Sequence, residues 1–111
     1  MNQQQAQRLA ENEALFRSVN ENMIDLNEAF EQIVDESVFV CECSRIDCIE
    51  QITLKLAEYQ AIHEHPRRFV IAPSEQHLVP QIEQVVERHE RYFVVEKVDQ
   101  AGEEAERLAA R

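Results

Sequence analysis

The sequence predicts an α+β fold: a long N-terminal helix followed by a small β domain with one short helix. Three observations predict it. Residues from about Gln5 to Glu36 contain neither Gly nor Pro, and their apolar positions recur in threes and fours. After Ser37 the chain breaks into short β-branched and aromatic runs. All three cysteines fall within Cys41-Glu42-Cys43-Ser44-Arg45-Ile46-Asp47-Cys48, and soft thiolates crowded this closely argue for a metal-stapled domain.

The first element, residues 1–36, is acidic and amphipathic. Its stripe runs through Leu9, Asn12, Phe16, Val19, Met23, Leu26, Phe30 and Ile33, a heptad-like seam in which Asn12 is the polar member. Leu15, Ile24 and Val34 widen the apolar face. A helix of that length extends about 45 Å at 1.5 Å per residue, more than a small domain covers. The excess face predicts a homodimer through a coiled-coil-like helix pair, with Asn12 setting its register. The alternative is a monomer whose helix packs across its own sheet.

Ser37–Cys43 (SVFVCEC) reads as a strand. Alternation places Cys41 and Cys43 on one face, as two ligands of one ion require. Ser44–Asp47 then form a tight connection that returns Cys48, and Glu50–Leu54 pairs back to complete a hairpin with the metal near its turn. Leu56–His63 (LAEYQAIH) has helical spacing and is ended by Pro66. Phe69–Ala72 and Tyr92–Val98 read as strands. Gln81–His89 fits a helix through Ile82, Val85, Val86 and His89, or a strand; strand is preferred. Residues 37–99 thus form the metal-binding domain, and 100–111 a flexible or frayed helical tail.

A structural zinc takes four soft or borderline ligands in a tetrahedron. Cys41, Cys43 and Cys48 supply three, and the absence of a fourth cysteine leaves His63, His65, His77 and His89 as candidates. His77 sits in a loop between Pro73 and Pro80, free to fold over the hairpin, and spacing ranks it ahead of His65 and His63. The motive for a metal is energetic. A β domain of about 60 residues buries little apolar surface, and a structural zinc contributes on the order of 10 kcal/mol to folding. A disulfide is disfavoured by the odd count and the i, i+2 placement. The competing possibility is that the cysteines are small buried residues.

Composition narrows function by exclusion. In 111 residues the formal charge is −11, distributed as −6 over residues 1–36, −4 over 37–99 and −1 over 100–111. Such a surface repels phosphate backbones, which disfavours direct nucleic-acid binding and admits only a mimic of nucleic-acid charge. The single glycine, Gly102, rules out a Gly-rich phosphate loop. There is no H-E-x-x-H and no deaminase-type Cys/His signature. An open zinc position would need Glu42 or Glu75 as base, and with four protein ligands no position is open. No apolar run approaches the roughly 18 residues of a membrane span. The polar Met1–Ala10 lacks the apolar core of a signal peptide, so a reducing, cytoplasmic location is expected.

The run from Asn12 to Lys97 resembles a family of small uncharacterised bacterial proteins, mostly actinobacterial. The resemblance rests on Asn12-Glu-Ala-Leu-Phe-Arg-Ser-Val-Asn20, Phe39-Val-Cys-Glu-Cys43 with Cys48, Leu56-Ala-Glu-Tyr59, His65-Pro-Arg-Arg-Phe69, Val85-Val-Glu-Arg-His89 and Val94-Val-Glu-Lys97. The family's Pro-Gly-His step appears here as Pro73-Ser-Glu-Gln-His77, without the glycine and with a longer loop. The resemblance implies that His77 is the fourth ligand and supplies no activity. It also places Lys55 where relatives carry a helix-capping Thr.

The reading is therefore a non-enzymatic zinc protein that works through protein–protein contacts, with a regulatory role among the expectations. The alternative is a redox- or metal-responsive sensor built on the same cysteines.

Overall fold

The computed structural model describes residues 3–24, 26–28, 36–45 and 47–110. Helix α1 spans Gln3–Asn22, and residues 26–28 are again helical. Strand β1 (Ser37–Val40) pairs antiparallel with β2 (Gln51–Leu54), Val38 opposite Thr53 and Val40 opposite Gln51. Helix α2 follows at Leu56–His63, then β3 (Arg68–Ile71), a 3-10 turn at Glu75–His77, β4 (Glu83–Arg88), β5 (Phe93–Lys97) and α3 (Asp99–Ala109). The second sheet is antiparallel in the order β3-β5-β4. This is the α+β architecture of a long N-terminal helix and a small β domain, with two sheets and an additional C-terminal helix.

The core lies between the sheets and α2. Tyr59 stacks on Phe39 with ring centroids 3.9 Å apart, and Ile52, Phe69, Ile71, Val94 and Val95 are buried around them. Alternation along β1 puts Phe39 inward, and the three-four spacing of Leu56, Tyr59 and Ile62 lays one face of α2 against the same core. Glu58 supports the start of α2 by accepting from the Lys55 N–H at 3.4 Å.

Within the segment 81–89 the structure forms strand β4 at Glu83–Arg88, and its mixed pattern has a cause. Val85 lies opposite Val95 and Glu87 opposite Val94, so Val86 is an extra residue in a bulge. The bulge interrupts strict alternation and leaves both valines half-buried.

The face that α1 buries is displaced by one residue from the apolar stripe. Ala10, Glu13, Arg17, Asn20 and Asn27 are buried, while Leu15, Val19 and Leu26 are exposed. Phe30, Ile33 and Val34 lie outside the described residues. The buried polar side chains bond to backbone. Asn27 donates to the Val38 carbonyl and accepts from the Val38 N–H, both at 3.0 Å. One heptad earlier, Asn20 does the same for Val40 at 2.9 and 2.8 Å. These are the outward-facing groups of β1. Two side-chain amides thus occupy a sheet edge that an extra strand would otherwise pair with. Asn12, the polar member of the stripe, donates to the Ser44 carbonyl at 2.9 Å, within its own chain. Arg17 donates to the carbonyls of His63 and Pro66 at 2.9 and 3.0 Å.

Residues 99–109 form helix α3 in the structure. Gly102 is buried in α3, where an added Cβ would meet the Arg67 guanidinium and the Lys97 carbonyl. Arg67 also pairs with Glu106 of α3.

Candidate metal centre

The β1–β2 connection builds most of the site. β1 ends at Val40, but its ladder continues for one bond, Cys41 N–H to the Glu50 carbonyl at 2.9 Å. The next outward group, the Glu42 N–H, reaches the Val70 carbonyl of β3 at 2.8 Å. The chain therefore passes from one sheet to the other between Cys41 and Cys43, and both cysteines are buried at that junction. Cys48 returns from the loop, partly exposed. The fourth group arrives from the turn after β3. Ser74 caps that turn by accepting from the Gln76 N–H at 3.2 Å, and His77, at its end, is buried.

The ligand atoms of Cys41, Cys43, Cys48 and His77 all lie within 4.8 Å of one another, close enough to hold a metal ion, and the cysteines are free of disulfides. His77 Nδ1 is 3.5 Å from Cys41 Sγ and 3.7 Å from Cys48 Sγ. A tetrahedron with bonds of about 2.3 Å to sulfur and about 2.0 Å to nitrogen has S···N edges of about 3.5 Å. The donor set therefore fits a tetrahedral ion in chemistry and in these two edges.

Each sulfur also accepts a backbone N–H. Ala72 donates to Cys41 Sγ at 3.2 Å, and the amides of Arg45 and Glu50 serve Cys43 and Cys48. Such outer bonds stabilise negative charge on sulfur and fix its orientation. Among themselves the thiols share protons unevenly. Cys43 is lowered to about 5, first because Cys41 donates to it, with help from His77 and the Arg45 amide against the cost of burial. Cys41 is pushed up by that same bond to Cys43 and by burial. Burial raises Cys48.

The remaining histidines are elsewhere. His63 Nε2 meets Glu42 Oε1 at 3.0 Å, His65 is exposed, and His89 is exposed, stacked on Tyr92. Glu42 is fully buried and accepts four bonds: His63 and the Val70 N–H (2.9 Å) on Oε1, Tyr59 (2.8 Å) and Asn20 (2.9 Å) on Oε2. Glu75 pairs with Arg88 at the surface. The Glu42 network escaped sequence reasoning, and the only available signal was an acidic residue flanked by two buried-type cysteines.

No family model, no curated protein and no solved structure matches this chain. The fold and the site define it as a small α+β protein with a three-cysteine, one-histidine cluster able to bind metal. No helix among the described residues is long and apolar enough to cross a membrane.

Proposed function

We propose that the chain is a non-catalytic interaction domain whose two sheets are stapled by one structural zinc. The observation that carries this reading is the convergence of three sulfurs and one imidazole at near-tetrahedral edges where the sheets meet. Three thiolates with one imidazole suit zinc among the common divalent ions. All four places of the tetrahedron are filled by protein, and both oxygens of Glu42 are committed to other donors, which supports a structural over a catalytic role. The cluster ties Cys41 and Cys43 at the end of β1 to His77 beyond β3, so metal binding and sheet docking become one event. The working surface is the exposed face of α1.

Elemental analysis of purified protein tests the metal. One zinc per chain is expected, and cobalt substitution should give the visible spectrum of tetrahedral thiolate coordination. Protein that is folded and metal-free after purification with zinc present would overturn the reading.

The partial exposure of Cys48 favours a second reading, a redox-responsive site. Peroxide would take two electrons from two cysteine thiolates, forming one S–S bond. With two protons from solvent, the peroxide becomes two waters, and the zinc ion is released. Zinc release under mild peroxide, reversed by a dithiol and zinc, would support this reading. Retention of the metal would support the inert staple.

A further inference from the structure

Behind the metal junction, α1 and α3 enclose a groove of about 580 Å³. His63 lines it, with a side chain only 8 % exposed. Glu42 holds the ring by Nε2, and in the Nε2–H tautomer Nδ1 is an acceptor. Nδ1 is buried and has no hydrogen-bond partner among the described residues. Glu21 Oε1 lies 3.8 Å from it, beyond hydrogen-bond range. The two atoms face each other at a spacing one ammonium group spans with bonds of about 2.9 Å, and Arg17 Nε serves the same Glu21 oxygen at 3.3 Å.

The surroundings select the sign of the ligand. Glu11 and Glu64 line the same groove. Arg17, the one arginine or lysine among its described lining residues, is spent on Glu21 and on two backbone carbonyls, so an anion finds no ready counter-charge among them. Leu15, Phe69 and Leu108 supply apolar lining, and Leu15 is half exposed. A positive head on an aliphatic stem matches this combination. A second copy of the chain would bring another −11 surface against these carboxylates.

We propose that the groove between α1 and α3 takes a lysine side chain of a basic partner protein, its ammonium donating to His63 Nδ1 and Glu21 Oε1. The stem methylenes lie on Leu15, Phe69 and Leu108. This deepens the interaction-domain reading and rests on it by naming the partner's chemistry.

The test uses the zinc-loaded full chain and a fluorescent, short amphipathic peptide of leucine and lysine. A matched peptide with acetylated lysines keeps the stems and removes the charge. Glu21 is half exposed, so Glu21→Gln leaves the fold intact; it should weaken binding about tenfold, the worth of one charge-assisted bond. Glu90→Gln, at an exposed position outside the groove, should change binding less than twofold by the same scale. The acetylated peptide should not bind, and the lysine peptide should shift the His63 ring nitrogen resonances. Equal weakening by the two variants, equal binding of the acetylated peptide, no binding at all, or a dimer that excludes the peptide would each overturn the proposal. Zinc measured on the same samples separates the readings, because retained zinc without peptide binding overturns the groove and not the staple.

Discussion

The Tyr59 hydroxyl and the Glu42 carboxylate meet at 2.8 Å in the centre of the protein. Glu42 sits between two cysteines of the cluster, and Tyr59 belongs to α2, so this bond joins the cysteine cluster to the helix. Burying a carboxylate is costly unless every lone pair is engaged, and Tyr59 supplies one of four donors. Tyr59→Phe keeps the stack on Phe39 and removes that donor. It should cost about 1.5–3 kcal/mol, the range for a bond to a charged group, while one zinc remains bound. Urea unfolding with parallel metal analysis checks both parts. Loss of metal together with stability would mean that Tyr59 acts on the cluster directly.

Metal removal should do far more. A structural zinc contributes on the order of 10 kcal/mol, comparable to the whole stability of a domain. A strong chelator should abolish the near-ultraviolet circular dichroism of Tyr59 and Tyr92, and zinc should restore it. His77→Ala should lower zinc affinity while leaving the three sulfurs in place, and Cys48→Ser should act in the same direction. A chain that keeps its tertiary signal without metal would show that the two sheets dock unaided.

Much of this was legible in the sequence, for physical reasons that also mark where legibility stops. Leu56–His63 is local: its apolar spacing and the following Pro66 define both ends. The cysteines declare themselves because thiolate chemistry is independent of fold. His77 was one of four candidates, because the position of a loop imidazole depends on the tertiary path between β3 and β4. Val85 and Val86 left helix and strand open because a bulge breaks the period that distinguishes them. The buried face of α1 was not legible at all. Hydropathy ranks Glu13, Arg17, Asn20 and Asn27 as outward-facing, yet each is buried with a specific polar partner from a distant part of the chain. The heptad spacing of Asn20 and Asn27 was the one available hint. Helix α3 buries only small residues, Ala101, Gly102 and Ala105, and packs against α1, so hydropathy gives little sign of its inner face.

The two asparagines make a prediction about association. Each closes both backbone groups of one β1 residue. Asn27→Leu leaves the Val38 N–H and carbonyl without those partners and should destabilise by about 2–4 kcal/mol. It also frees a short sheet edge for pairing with other chains. The unfolding midpoint should fall, and light scattering should rise with time at concentrations where the parent stays clear. Asn27→Asp, which keeps the acceptor and loses the donor, should fall between the two. Equal solubility of the leucine variant and the parent would mean that the edge is protected by something other than the amide.

The last prediction concerns a buried charge cluster on the opposite side of α1 from solvent. Lys97 pairs with both Glu13 and Glu83, all three side chains being at most 1 % exposed. Glu83 has a further donor, the Val79 N–H at 3.1 Å, whereas Glu13 Oε1 has none among the described residues. Burial holds the Glu13 carboxyl well above its ordinary 4.5, outweighing the attraction of Lys97, and Glu83 pushes it the same way. The folded protein therefore keeps a proton that the unfolded chain releases above pH 4.5. The resulting stabilisation is complete below that value and is lost as pH rises through the raised native pKa. Within that window this proton contributes a slope of at most about 1.4 kcal/mol per pH unit. Glu13→Gln, isosteric with the protonated acid, should lose less stability than the parent as pH rises above 4.5. Urea midpoints of zinc-loaded protein across that range measure the difference. Parallel curves for parent and variant would show that Glu13 is ionised throughout and that Lys97 carries both carboxylates.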